Sequence, residues 1–241
     1  MSKLRDRIRE MSRRRVATFG FAVPRGVERQ SREVLVVAEV ADEAAAAAAI
    51  EAGADVLIAT GATDGLAGIL TAAGAVPVGY RAEAASAADA TAALEAGAHF
   101  LVFDDQQAAA AALLSPKLGY VAVVGGARED ADLRLLRALD LDAVTIAAPA
   151  DELTVHEQLR LRRTGDLVRK PLIARIDHVP SAVALEVWRD AGVIAVLVAD
   201  ASLVAAAVAA VIEVPRPREA NERVDAVIPS VQANMDDDDD D

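Results

Sequence analysis

The stretch Ile50-Glu51-Ala52-Gly53-Ala54-Asp55-Val56-Leu57-Ile58 decides how this chain is read. It ends an alanine-rich helical run, stops it at a glycine and opens a short apolar strand. Before it, residues 34–40 are an apolar run and 42–52 the helix that follows it. The phrase returns at Leu94-Glu95-Ala96-Gly97-Ala98, ahead of a second apolar run at 100–104. Weaker copies end at Leu139-Asp140-Leu141-Asp142 and at Asp190-Ala191-Gly192-Val193. Gly53, Gly97 and Leu141 are spaced by 44 residues, and Gly192 follows Leu141 by 51. A period of this length marks repetition of one supersecondary unit. Here the unit is βαβα, and four copies supply eight strands and eight helices. The glycines have a local cause, because a residue just past a helix C-terminus often turns left-handed. They are punctuation, not a phosphate-binding fingerprint.

The pattern predicts strands at 34–40, 56–60, 76–81, 100–104, 120–124, 143–147, 172–177 and 195–199. Each is a short Val- and Ile-rich run bounded by Gly, Asp or Pro. Helices are predicted near 42–52, 64–73, 84–96, 106–114, 129–139, 151–166, 180–191 and 202–212. Strict alternation implies a parallel sheet covered by helices, and the number eight favours closure. The fold class expected is therefore α/β: a single (β/α)8 TIM barrel with an extra N-terminal helix and a C-terminal arm. A doubly wound open sheet is the alternative. Residues 1–32 form a basic helix and capping segment, with a short strand expected at 17–23. Residues 33–212 form the barrel. Residues 213–241 are an extended arm with an acidic tail.

Composition narrows the function. The chain has 241 residues, 54% hydrophobic but only 3% aromatic, and a formal net charge of −13. Few aromatic faces and a negative charge argue against a nucleic-acid binder. The absence of cysteine excludes disulfides, thiolate zinc sites and a cysteine nucleophile. No apolar run is long enough for a membrane span, and the N-terminus lacks a signal-peptide core, so a cytoplasmic protein is expected. Residues 1–15 carry a net +5, and the six aspartates at 236–241 carry −6. Leu4, Ile8 and Met11 share one face of the basic helix. That helix either packs its stripe on a barrel end or meets an anionic partner, which includes the acidic body of this same protein. Val224, Val227, Ile228 and Val231 in the arm are suited to reach a second subunit, so a homo-oligomer is expected.

Active sites in such barrels gather at the C-terminal ends of the strands. Those ends supply Glu39, Arg81, Asp104, Arg175, Asp177, His178 and Asp200, with Gly125-Gly126 and Arg128 after the fifth strand. Side chains alternate along a strand, so Ile173, Arg175 and Asp177 face one way, and Leu35, Val37 and Glu39 do likewise. An Arg175–Glu39 pair at the mouth follows. In the functional reading Arg175 and Arg81 hold a small anionic metabolite, with Gly125, Gly126 and Arg128 a further anion-friendly turn. Glu39, Asp177 and His178 then move protons. A structural ion pair plugging an empty barrel is the competing account. A divalent ion, Mg²⁺ or Mn²⁺, is the cofactor to consider, with Asp104 and Asp200 among its hard oxygen ligands. Acids in βα loops are also common helix caps, a role that suits Asp42, Asp64, Asp105 and Asp151. The lysines Lys3, Lys117 and Lys170 all lie away from strand C-termini, which argues against a Schiff base.

The Glu51–Ile58 phrase resembles the helix-to-strand junctions of phosphate-binding (β/α)8 barrels. That superfamily includes indole-glycerol-phosphate synthase-like, aldolase-like and flavin-dependent members. The resemblance implies phosphate loops after strands seven and eight, rich in glycine. The matching segments here read Asp177-His178-Val179-Pro180-Ser181 and Ala199-Asp200-Ala201-Ser202-Leu203. Neither has glycine and each carries an acid, which opposes a phosphorylated substrate or FMN. The reading that results is a lyase or isomerase acting on a small carboxylate-bearing metabolite by acid–base chemistry. The alternative is a non-catalytic barrel that works as a scaffold or regulatory protein through its charged termini.

Overall fold

The computed structural model describes residues 2–16, 32–126 and 128–217. The strand expected at 17–23, the arm beyond 217 and its aspartate tail lie outside the described residues. The chain begins with α1 (Lys3–Val16), then β1 (Leu35–Val40), α2 (Glu43–Glu51), β2 (Val56–Ala59), α3 (Leu66–Ala73) and β3 (Val78–Arg81). It continues with α4 (Ala87–Glu95), β4 (Phe100–Asp104), β5 (Gly119–Val123), α5 (Asp130–Leu135), β6 (Ala143–Ala147) and α6 (Val155–Val168). It closes with β7 (Leu172–Ile176), α7 (Ala182–Asp190), β8 (Val193–Val198) and α8 (Val204–Ile212). Each strand pairs in parallel with the next, and β8 returns to β1 through Leu35↔Ala195 and Val37↔Leu197. The chain is a closed eight-stranded TIM barrel.

Alternation along the strands builds two cores. Outward residues such as Val36, Leu57, Leu101 and Val196 pack under the helices. Inward residues such as Val37, Ile58, Phe100, Val121, Ile173 and Leu197 fill the barrel. Both faces are thereby covered, which is why the strands read as nearly continuous apolar runs. Gly79 faces inward, and a Cβ there would overlap the Phe100 ring. The missing side chain on β3 is what lets that ring cross the interior. At the repeated junctions, Gly53, Gly97 and Gly192 have φ of +93, +97 and +105, each just after the C-cap of α2, α4 or α7.

The helix expected at 106–114 is instead a short 3-10 turn, Ala110–Leu113. Its start is diverted. Asp104 accepts from the backbone of Gln106 at 2.9 Å, and the Ala109 N–H donates to Ala85 O at 2.8 Å rather than back along a helix. Pro116 then limits what remains, since proline disfavours helix in the residue before it. Alanine propensity loses to these local hydrogen bonds.

The floor of the barrel is α1. Leu4, Ile8 and Met11 are buried together with the inward strand residues. Arg5 contacts Asp142 at 2.7 Å and Asp140 at 2.8 Å, and Arg7 contacts Asp55 at 2.7 Å. Asp55 also accepts from the Val36 N–H at 3.0 Å and from Arg32 at 3.3 Å. The anionic partner of these two arginines is the barrel itself.

Candidate functional site

Glu39 ends the inward face of β1, two residues beyond Val37. Its side chain is only 10% exposed and lies between two guanidinium groups. Arg81, the last residue of β3 and on the same face as Gly79, contacts Glu39 Oε1 through Nη2; this side chain is 14% exposed. The pair lacks hydrogen-bond alignment, and Arg81 Nε has no hydrogen-bond partner. Arg175, on the inward face of β7 beyond Ile173, brings Nη2 to 3.7 Å from Glu39 Oε2 and remains 50% exposed. The sequence pairs Glu39 with Arg175; in the structure Arg81 is the closer cation. On the inward face of β6, Thr145 is buried and its Oγ1 has no hydrogen-bond partner.

Beside Arg81 opens a cavity of about 180 Å³, lined by Arg81, Glu83, Val102, Phe103, Asp104, Gln107 and Val123. It lies over the C-terminal ends of β3, β4 and β5. The short 3-10 turn after β4 leaves this wall without the α-helix that the alanine run predicts.

The other expected site residues disperse around the rim. Asp177 does not continue inward from Arg175: it lies past the end of β7, 92% exposed. His178 Nδ1 is 2.7 Å from Asp177, and Nε2 is 3.2 Å from Asp151 on the loop after β6. Its pKa is raised above the ordinary histidine value by the hydrogen bonds to Asp177 and Asp151, and the Asp177 carboxyl is lowered by His178. Arg128 is committed, with Nη2 at 2.6 Å from Asp105 and Nε donating to Gly125 O at 3.3 Å. The Gly125-Gly126 turn is exposed and holds Arg128 through that carbonyl.

The metal set does not assemble. Asp104 accepts from Gln106 and Gln107 in its own loop. Asp200 lies after β8, on the other side of the ring, and accepts from the Ser202 N–H at 2.9 Å, which lowers its pKa. Among the described residues no group of three or more His, Asp or Glu side chains is placed to hold a metal ion. Of the acids expected to cap helices, Asp42 caps α2 by accepting from Ala45 at 2.8 Å, whereas Asp105 and Asp151 serve the contacts to Arg128 and His178.

The fold and the mouth define a TIM-barrel protein with an arginine–glutamate–arginine bridge at its open end. No family model matches the sequence, and no curated protein matches it. Among solved structures, the chain is similar to a ligand-free tryptophan synthase from M. tuberculosis, at 16% identity and a TM-score of 0.60, over 88% of this chain and 94% of that one. It is also similar to dihydropteroate synthase from Thermus thermophilus in complex with 4-aminobenzoate. There the identity is 19% and the TM-score 0.51, over 76% of this chain and 93% of that one. At these identities the likeness is one of fold. No helix among the described residues is long and apolar enough to cross a membrane.

Proposed function

We propose that the chain is a barrel enzyme, a lyase or isomerase, that binds a small carboxylate-bearing metabolite at the mouth. Arg175 is its anion ligand and Glu39 its proton-transfer group. One observation carries the reading: Arg175 reaches into the mouth from β7, half exposed, and touches Glu39 only at 3.7 Å. That separation is too long for a hydrogen bond, so the guanidinium keeps its planar fork for an incoming carboxylate. A bound carboxylate displaces Glu39 from Arg175 and leaves Glu39 Oε2 facing the ligand. Arg81 holds the other oxygen in place. Glu39 then accepts a proton from the carbon beside the bound carboxylate, which is the opening step of both an isomerisation and an elimination. His178, on the loop after β7, donates a separate proton to the rearranged carbon or the leaving group, and exchange with solvent then restores Glu39 and His178 to their starting states.

The scaffold reading draws on the charged termini, yet Arg5 and Arg7 are turned onto the barrel floor. Their use there leaves fewer basic groups for the partner contact that the scaffold reading needs.

The test is a thermal-shift screen of the whole protein against short mono- and dicarboxylates. A ligand at about a hundredfold excess over its Kd adds ~2.7 kcal/mol, which for a chain of this size raises Tm by roughly 5–10 °C. The rise is expected to vanish in Arg175→Ala. If no carboxylate shifts Tm, or if the shift survives in Arg175→Ala, the proposal fails.

A further inference from the structure

The mouth is electrically two-sided, and its second side is acidic. In the cavity wall the charges are Arg81, Glu83 and Asp104. The Arg81 charge is already matched by Glu39. Asp104 accepts only from the neutral Gln106 N–H and Gln107 amide. Glu83 has no cationic partner among the described residues, and its side chain is exposed at the cavity edge. The nearby Arg128 is taken up by Asp105. Among the described residues, two acids therefore line a concave site with no cation paired to them.

The opposite wall carries the reverse sign. In a closed ring of eight strands, β7 lies directly across from β3. Arg175 stands there, half exposed, with only the long contact to a Glu39 that Arg81 also engages. The inward face between the two walls holds the unpartnered hydroxyl of Thr145, whose strand neighbour Val123 lines the cavity. A buried polar group left unpaired costs free energy.

We infer that the ligand of this mouth is an amino carboxylate: its carboxylate binds Arg175, and its ammonium group enters the cavity between Glu83 and Asp104. This deepens the function proposed above and rests on it. An ammonium offers three donors, enough to serve both acids. Val102, Phe103 and Val123 give the same cavity an apolar wall for the methylene groups that join the two charges. The volume of about 180 Å³ is ample for an ammonium and the first carbons attached to it. A plain dicarboxylate would meet repulsion at this wall, so the acids act as specificity-determining groups.

The experiment is calorimetric titration of the whole protein with matched probes. One series is the straight-chain ω-amino acids from β-alanine to aminohexanoate; the other is the fatty acids of equal length. At the chain length that spans the mouth, the amino acid is expected to bind at least about tenfold more tightly, as a charge-assisted contact allows. Glu83→Gln is expected to shrink that preference. Asp104→Asn should do the same, and Glu83→Gln guards against a fault in the Asp104 turn. Equal affinities for the two series, or a preference untouched in both variants, would overturn the amino-carboxylate assignment and leave the carboxylate site standing. Absence of binding by either series would sink both.

Discussion

Replacing Arg81 by methionine tests whether the Glu39 charge is held by the bridge. Glu39 is nine-tenths buried, and its remaining cation in Arg81→Met would be Arg175, 3.7 Å away and half in solvent. Removing one partner of a buried ion pair costs about 3–5 kcal/mol, because the other charge is left uncompensated. Arg175 offsets part of this, weakly, since its own charge is screened by water. The expected loss is therefore near the low end, about 3 kcal/mol, equivalent to roughly 6–12 °C in Tm for a chain of this length. The double variant Glu39→Met with Arg81→Met removes both charges and replaces them with apolar volume, which is often close to neutral. It should regain most of the loss. The assay is urea unfolding followed by the fluorescence of Trp188, the one tryptophan of the chain, which is buried and donates to Ala150 O at 3.1 Å. An unchanged m-value would show that stability alone has moved. A loss below about 1 kcal/mol in Arg81→Met, or a double variant as unstable as the sum of the singles, would refute the bridge as the holder of a buried charge.

Other outcomes follow from the same structure. Gly79→Ala should destabilise by about 1–3 kcal/mol in urea unfolding, because its Cβ overlaps a buried Phe100 ring. Asp55→Ala leaves Arg7, Arg32 and the Val36 N–H without their shared acceptor; a loss of about 2–3 kcal/mol in the same assay is expected. His178 should titrate above the ordinary histidine value in an NMR pH series, and Asp151→Ala should move it downward. Its folded pKa is raised, so its contribution to stability is fully present below about pH 6.5 and is lost as pH rises through the folded value. A pH series in which Asp151→Ala leaves the His178 titration unmoved would remove that contact from the account.

The parts of the fold that were legible are those set by periodicity and punctuation. Alternating Leu35, Val37 and Glu39 placed Glu39 on the inner face, and Ile173 placed Arg175 there too. The same rule on β3 puts Arg81 in the row of Gly79. Its meeting with Glu39 was harder to see because β2 stands between the two strands, and only the length of an arginine side chain bridges the gap. Asp177 shows where alternation stops being a guide: β7 ends at Ile176, and past that point the backbone, not the pleat, sets direction. The alanine run after β4 is the opposite failure. Its composition favours a helix, but the acceptors on Asp104 and Ala85 are tertiary and local details that a propensity does not contain. The two-sided charge of the mouth was likewise hidden, since it depends on which acids already have partners.

The floor of the barrel has a consequence for assembly order. Among the described residues, the barrel partners of α1 follow it in the chain, and the acids met by Arg5 are 135 and 137 residues away. The apolar stripe of Leu4, Ile8 and Met11 has nowhere to go until β5 and β6 have joined the ring. Docking of this helix is thus a late, long-range event, of the kind that slows folding. It also makes α1 a gauge of completion: protease access to the helix reports chains whose ring has not yet closed.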